Sequence, residues 1–180
     1  QKNKPKTSAY QWNPLLVDNE GLQYRPADRA CGFIERLRHI KGPDAGAFIK
    51  LERWQVFIVA NAFGWIRRGT RLRRFRIIYV EVPRGNGKST MLAPIGLYML
   101  CFDGEAGAEV YSAATTRDQA RIVFDAALLM TIKSPSLQER FGVVPSARLL
   151  QTPDWSKFAA LSADAQTLDG LNLHCGIVDE

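Results

Sequence analysis

The segment Pro83-Arg84-Gly85-Asn86-Gly87-Lys88-Ser89-Thr90 constrains the chain more than any other, because it joins two stretches of different periodicity within one short turn. Upstream, Phe75 to Val82 is rich in β-branched and aromatic residues and is closed by Pro83, which predicts a buried strand. Downstream, Ser89 to Cys101 predicts a helix in which Pro94 is tolerated because it falls within the first turns. Glycines at 85 and 87 permit backbone angles and close approaches that a side chain would block. Consecutive amides can then converge on a phosphate at the helix N-terminus. Lys88 adds a mobile charge for the terminal phosphates, Ser89 a hydroxyl for Mg²⁺, and Thr90 a bond to phosphate or to the helix start. The usual pattern G-x-x-x-x-G-K-[ST] places a glycine where this chain has Val82, so the loop is a variant form. From these residues alone, an ordinary strand-to-helix turn containing Gly-Asn-Gly-Lys-Ser is the competing reading.

A second feature bears on the same chemistry. Leu173 to Val178 predicts an apolar strand that delivers Asp179 and Glu180 at its C-terminal end, where parallel sheets bind their ligands. An isolated Asp-Glu at a strand end is usually a solvated turn. Coupled to an upstream phosphate loop, the two carboxylates divide the work. Asp179 joins Ser89 around Mg²⁺, and Glu180 orients and polarises the water that attacks a γ-phosphate.

Between these features strands alternate with helices. Residues 1 to 30, with Pro5, Pro14 and Pro26 and no sustained period, predict an extended arm, and 31–180 one main domain. Phe33, Ile34, Leu37 and Ile40 recur at helical spacing before Gly42 and Pro43. A second helix begins near Leu51, carries Trp54, Phe57, Ile58, Ala62 and Phe63 on a broad face, and ends near Gly64. Ala108 to Ala113 and Lys157 to Ser162 predict strands, and Thr116 to Ile132 a helix capped by Thr115 or Thr116. The stretch from Pro135 to Pro153 is less regular, with a short strand expected at Arg148 to Gln151. Such alternation indicates an α/β fold with a mainly parallel sheet.

Composition narrows the partners. Three cysteines, far apart and odd in number, argue against a disulfide framework or a Cys-rich zinc site and fit a reducing compartment. His39 and His174 are too distant in sequence to suggest a histidine metal cluster. No apolar run approaches a membrane span, and the basic, polar first residues do not read as a secretory signal, so a cytoplasmic location is expected. The net charge of +6 matters less than its distribution, since Arg67, Arg68, Arg71, Arg73, Arg74 and Arg76 crowd one short segment. They fit either salt-dependent phosphate binding or a solvated turn whose arginines pair with acids elsewhere.

Trp54-Gln55, the loop with Arg84, Ala113 to Ala120, Asp169-Gly170-Leu171-Asn172 and Val178-Asp179-Glu180 together resemble the large terminase subunit of tailed bacteriophages, over roughly residues 30 to 180. The resemblance implies a P-loop NTPase of the ASCE, RecA-like kind, a three-layer sandwich, here ending after its Walker B strand. It implies ATP and Mg²⁺ as cofactors and an ATPase motor driving double-stranded DNA into a procapsid in the host cytoplasm. Its partners would be the portal protein, the small terminase subunit and further copies in a ring. The family's separate C-terminal nuclease would lie beyond Glu180, so the chain reads as part of a longer protein. The resemblance gives Gln55, beside Trp54, a role in recognising adenine, and makes Arg84 the loop arginine that sets a second positive charge against the γ-phosphate. Trp54 in a core and Gln55 in solvent remain open on residue type alone. Arg117, Asp118 and Gln119 fit a DNA or subunit contact as well as a capped, exposed first turn. A helicase-like nucleic-acid ATPase and a nucleotide-binding module without turnover are the rival functions.

Overall fold

The computed structural model describes residues 8–83, 85–161 and 172–179 of the chain. They group into two compact units, Gln1–Gly32 with Leu51–Glu81, and Phe33–Lys50 with Val82–Glu180. In the first unit, β1 (Tyr10–Trp12) pairs antiparallel with β4 (Trp65–Arg67), and β2 (Leu16–Val17) pairs with β3 (Gln23–Tyr24). Strands this short leave no readable period, which is why the sequence suggests only an arm.

α1 (Pro26–Ile34) begins in the same unit and α2 (Arg53–Gly64) leads into β4. Pro26 suits a first helical position, where its missing N–H costs nothing, and Asn13 Oδ1 accepts from the Ala27 amide at 2.9 Å. The helix therefore starts before Cys31 and stops at Ile34 rather than running to Ile40. Leu37 is buried all the same, from the turn that follows. Trp12 and Trp65 pack at 5.4 Å between centroids, and Gly64 lies so close that an added Cβ would come within 2.6 Å of the Trp12 ring.

The second unit holds the main sheet. α3 (Lys88–Cys101), β5 (Glu109–Ala113), α4 (Arg117–Ile132), α5 (Pro135–Phe141), β6 (Val144–Pro145), β7 (Leu150–Gln151), β8 (Lys157–Ala160) and β9 (Leu173–Val178) follow in order. The strands lie β6-β7-β8-β5-β9 across the sheet. β5 is parallel to β8 and β9, whereas β6 with β7 and β7 with β8 are antiparallel. The sheet is thus mixed rather than mainly parallel, because the stretch after α5 returns as short hairpin strands. Thr116 caps α4, as its position suggests, by accepting from the Gln119 amide.

α3 and α4 cover the sheet face that presents Phe158, fully buried, whose ring meets Phe124 of α4 edge-on at 5.7 Å. Ser112 Oγ of β5 ties the same face to α4 by donating to the Ala120 carbonyl at 2.8 Å. Gly96 lets α3 approach this face closely.

The expected strand at Phe75 to Val82 is a correction. Among the described residues it joins no ladder, and Ile77 and Tyr79 are 90% and 84% exposed. β-branched content reports fitness for a packed, pleated surface, and without a hydrogen-bonded neighbour it does not by itself make a strand.

A Cβ at Gly96 would fall 2.6 Å from Phe158 Cε1 and 3.1 Å from Ile177 Cδ1, where the packed ring has nowhere to turn. Gly96→Ala is expected to lower stability by about 1–3 kcal/mol despite the better helix propensity of alanine, measured by denaturant unfolding. Unchanged or higher stability would contradict the close approach.

Candidate functional site

The loop that precedes α3 is set by backbone conformation. Gly85 and Gly87 both have positive φ, 85° and 71°. Gly87 is the N-cap of α3 in the left-handed region, and its carbonyl accepts the first helical bond from the Met91 amide at 3.1 Å. A side chain at either position would be strained. Asn86 Nδ2 donates to the Pro83 carbonyl at 3.1 Å and so folds the loop back on its own base. The first-turn amides of an α-helix have no acceptor within the helix, and here they open toward this bend. Lys88, Ser89 and Thr90 are half-buried in that first turn.

Direction decides what the loop meets. Just beyond the C-terminal end of α3, Asp103 Oδ2 lies 2.8 Å from His174 Nε2 near the start of β9, a close contact without hydrogen-bond angles. The Cys101 thiol, at the same end, is pushed up to about 12, by burial first and then by the Asp154 carboxylate that precedes β8. In its middle, α3 touches Phe158 and Ile177 across Gly96. α3 therefore runs antiparallel to β8 and β9. Its 14 residues span about 21 Å and the 6 of β9 about 20 Å, so two elements joined at one end reach similar heights at the other. The phosphate-type loop and Asp179 come to the same end of the sheet. Asp179 is half-buried, and its amide donates to the Ala113 carbonyl at 3.0 Å, which fixes it against the C-terminal end of β5.

The remaining predicted residues fall elsewhere or outside the description. Arg84 and Glu180 lie outside the described residues, as does the Asp169-Gly170-Leu171 stretch. Trp54 is half-buried and Gln55 buried on α2, in the other unit. Gln55 Oε1 accepts from the Glu52 amide at 2.9 Å, so the carbonyl end of its side chain already caps α2. The sequence signal for that bond is the spacing Glu52-x-x-Gln55 at the helix start. Arg117, Asp118 and Gln119 form the exposed first turn of α4, with Gln119 held by Thr115 and Thr116.

At the opposite end of the strands a charged cluster ties β5, β8 and β9 together. Glu109 meets Lys157 Nζ at 3.0 Å, Tyr111 Oη at 3.0 Å and the Asn172 amide at 3.2 Å. The bond from Lys157 holds the Glu109 carboxyl below its ordinary value, and the same bond raises the lysine. Burial raises the Tyr111 phenol.

The second unit is an α/β fold in which a glycine bend opens a helix packed beside an acid-tipped strand, and known proteins give its family. The chain belongs to the family "Terminase large subunit, ATPase domain", which it matches over residues 53–180. It is 34% identical over 156 residues to the "Terminase, large subunit" of Enterobacteria phage HK97, covering 85% of this chain and 30% of that protein. It also superposes on the crystal structure of the HK97 bacteriophage large terminase with a TM-score of 0.69 and 28% identity, over 86% of this chain and 31% of that one. The chain thus spans about a third of the length of these relatives. No helix among the described residues is long and apolar enough to cross a membrane.

The Glu109 cluster predicts a pH signature. A carboxyl whose folded pKa is depressed contributes stability that is present above its unfolded value near 4.3 and is lost as pH falls through the lower folded value. Glu109→Gln is therefore expected to cost about 1 kcal/mol or less at pH 7, with the gap to the unsubstituted chain closing below about pH 4 in thermal unfolding. A gap that stays constant down to pH 3 would contradict the pairing.

Proposed function

We propose that this chain is the ATP-hydrolysing domain of a packaging motor, using Mg·ATP to drive double-stranded DNA into a procapsid. The observation that carries the reading is the antiparallel run of α3 against β9, which brings an amide-lined loop and a carboxylate to one end of the sheet in a member of the terminase ATPase family. In this reading the domain is a three-layer P-loop sandwich covering 31–180, with 1–30 as an appendage.

The donor set fits the ligand. Gly85, Asn86, Gly87 and the first turn of α3 present backbone amides suited to phosphate oxygens, and Lys88 and Thr90 add side-chain contacts. Ser89 and Asp179 offer the oxygen ligands a hard cation requires, and they would hold Mg²⁺, which when bound neutralises charge on the terminal phosphates. Glu180 orients the attacking water and draws its proton as the oxygen approaches phosphorus. Arg84 sets a planar guanidinium against the charge that develops on the γ-phosphate. Gln55 reads adenine through its Nε2 donors while Oε1 remains on the Glu52 amide, and Trp54 flanks the base.

Work on DNA calls for assembly. The active form is a ring of copies docked on the portal protein and supplied with DNA by the small terminase subunit, in the host cytoplasm. Nuclease chemistry belongs to a separate part of such a machine, since the residues assigned above serve phosphoryl transfer from ATP.

Phosphate release by the full chain tests the assignment. Lys88→Ala should abolish nucleotide binding or turnover, and Glu180→Gln should keep binding while slowing turnover by about 100-fold or more. Equal rates in the unsubstituted chain and Glu180→Gln would remove the hydrolytic reading, and unchanged affinity and rate in Lys88→Ala would remove the loop.

A further inference from the structure

The arginine-rich stretch after α2 is built as a hairpin. The Arg67 amide donates to the Leu72 carbonyl at 2.9 Å, the Thr70 amide to the Arg67 carbonyl at 3.1 Å, and the Arg74 amide to the Trp65 carbonyl at 2.8 Å. Gly69, at φ 72°, makes the turn. Arg67, Arg68, Arg71, Arg74 and Arg76 are all exposed on this hairpin and the extended segment that leaves it.

Among the described residues, the partners of Arg68, Arg71 and Arg74 are neutral. Arg68 donates from Nε to the Ser8 carbonyl at 2.8 Å and from Nη1 to Gln11 Oε1 at 3.3 Å. Arg71 donates from Nη2 to the Val17 carbonyl at 2.6 Å and from Nη1 to Asn19 Oδ1 at 3.1 Å. Arg74 lies 5.4, 5.5 and 5.2 Å from the ring centroids of Tyr10, Trp65 and Phe75. Carbonyls, amide oxygens and aromatic faces hold a guanidinium in place without cancelling its charge, as a carboxylate would. The solvated turn with acid-paired arginines is therefore not what these three residues form.

Several oriented cations exposed along one turn suit an extended row of phosphates better than a single nucleotide, which calls for an enclosing pocket. Resting on the packaging reading above, we propose that the β4 hairpin, through Arg67, Arg68, Arg71, Arg74 and Arg76, contacts the phosphate backbone of duplex DNA without regard to sequence. Arg68, Arg71 and Arg74 form the anchored part of the surface, and Arg67 and Arg76 flank it.

The test is the salt dependence of binding by the full chain to a fluorescent duplex of about 30 bp and arbitrary sequence, over about 50–300 mM salt. The double substitution Arg67→Gln with Arg76→Gln spares the anchoring bonds. It should make the slope of log K against log salt shallower by about 2 and weaken binding about 60-fold at 0.1 M, with turnover in the absence of DNA unchanged. Arg67→Lys with Arg76→Lys should keep most of the slope. An unchanged slope with turnover intact overturns the hairpin surface alone. A lost turnover with an unchanged slope overturns it as well, in favour of arginines serving a neighbouring copy's nucleotide site. Absent turnover in the unsubstituted chain overturns the ATPase reading and leaves the slope to decide the hairpin.

Discussion

The path of α3 against β9 is the constraint on which the second unit depends. Gly96 removes the one side chain that would hold the helix away from Phe158 and Ile177, and the Asp103 to His174 contact marks where helix and strand ends meet. With the helix axis and strand direction opposed, whatever the loop binds at the start of α3 lies toward the C-terminal ends of the strands. A larger residue at 96 would therefore act on the site at a distance, by lifting the helix that carries the loop.

The two ends of the parallel strands serve different purposes. One end is closed by Glu109, Tyr111, Lys157 and the Asn172 amide, whose mutual bonds fix the strand starts. The other end is left to the glycine bend, whose positive φ angles glycine adopts without strain, and to the half-buried Asp179. The charged bonds are thus concentrated at one end of the parallel strands, and the glycine bend with the Asp179 carboxylate stands at the other. The first unit has its own logic, with Trp12 against Trp65 and arginines anchored on carbonyls and rings.

Features governed by neighbours in sequence were legible. The glycine bend before Lys88, the Thr116 cap, the apolar face of α4 and the strand ending at Asp179 all lie where local pattern puts them. Features that need a distant partner were not. The β1 to β4 pairing joins strands of three residues far apart in the chain, with Tyr10 opposite Arg67 and Trp12 opposite Trp65. The start of α1 depends on Asn13 reaching Ala27, and the mixed sheet depends on the short strands β6 and β7. The apolar run at Phe75 to Val82 misled for the same reason, since its composition says nothing of whether a partner strand is present.

The central claim is that the Lys88 ammonium and the Asp179 carboxylate serve one Mg·nucleotide. A crystal or cryo-EM structure of the full chain with Mg²⁺ and a non-hydrolysable ATP analogue measures this directly. The account predicts Lys88 Nζ at about 3 Å from the terminal phosphate oxygens, with Asp179 in the coordination shell of the same ion or one water removed from it. A nucleotide bound elsewhere, or bound at the loop with Asp179 turned to a separate surface, would contradict it.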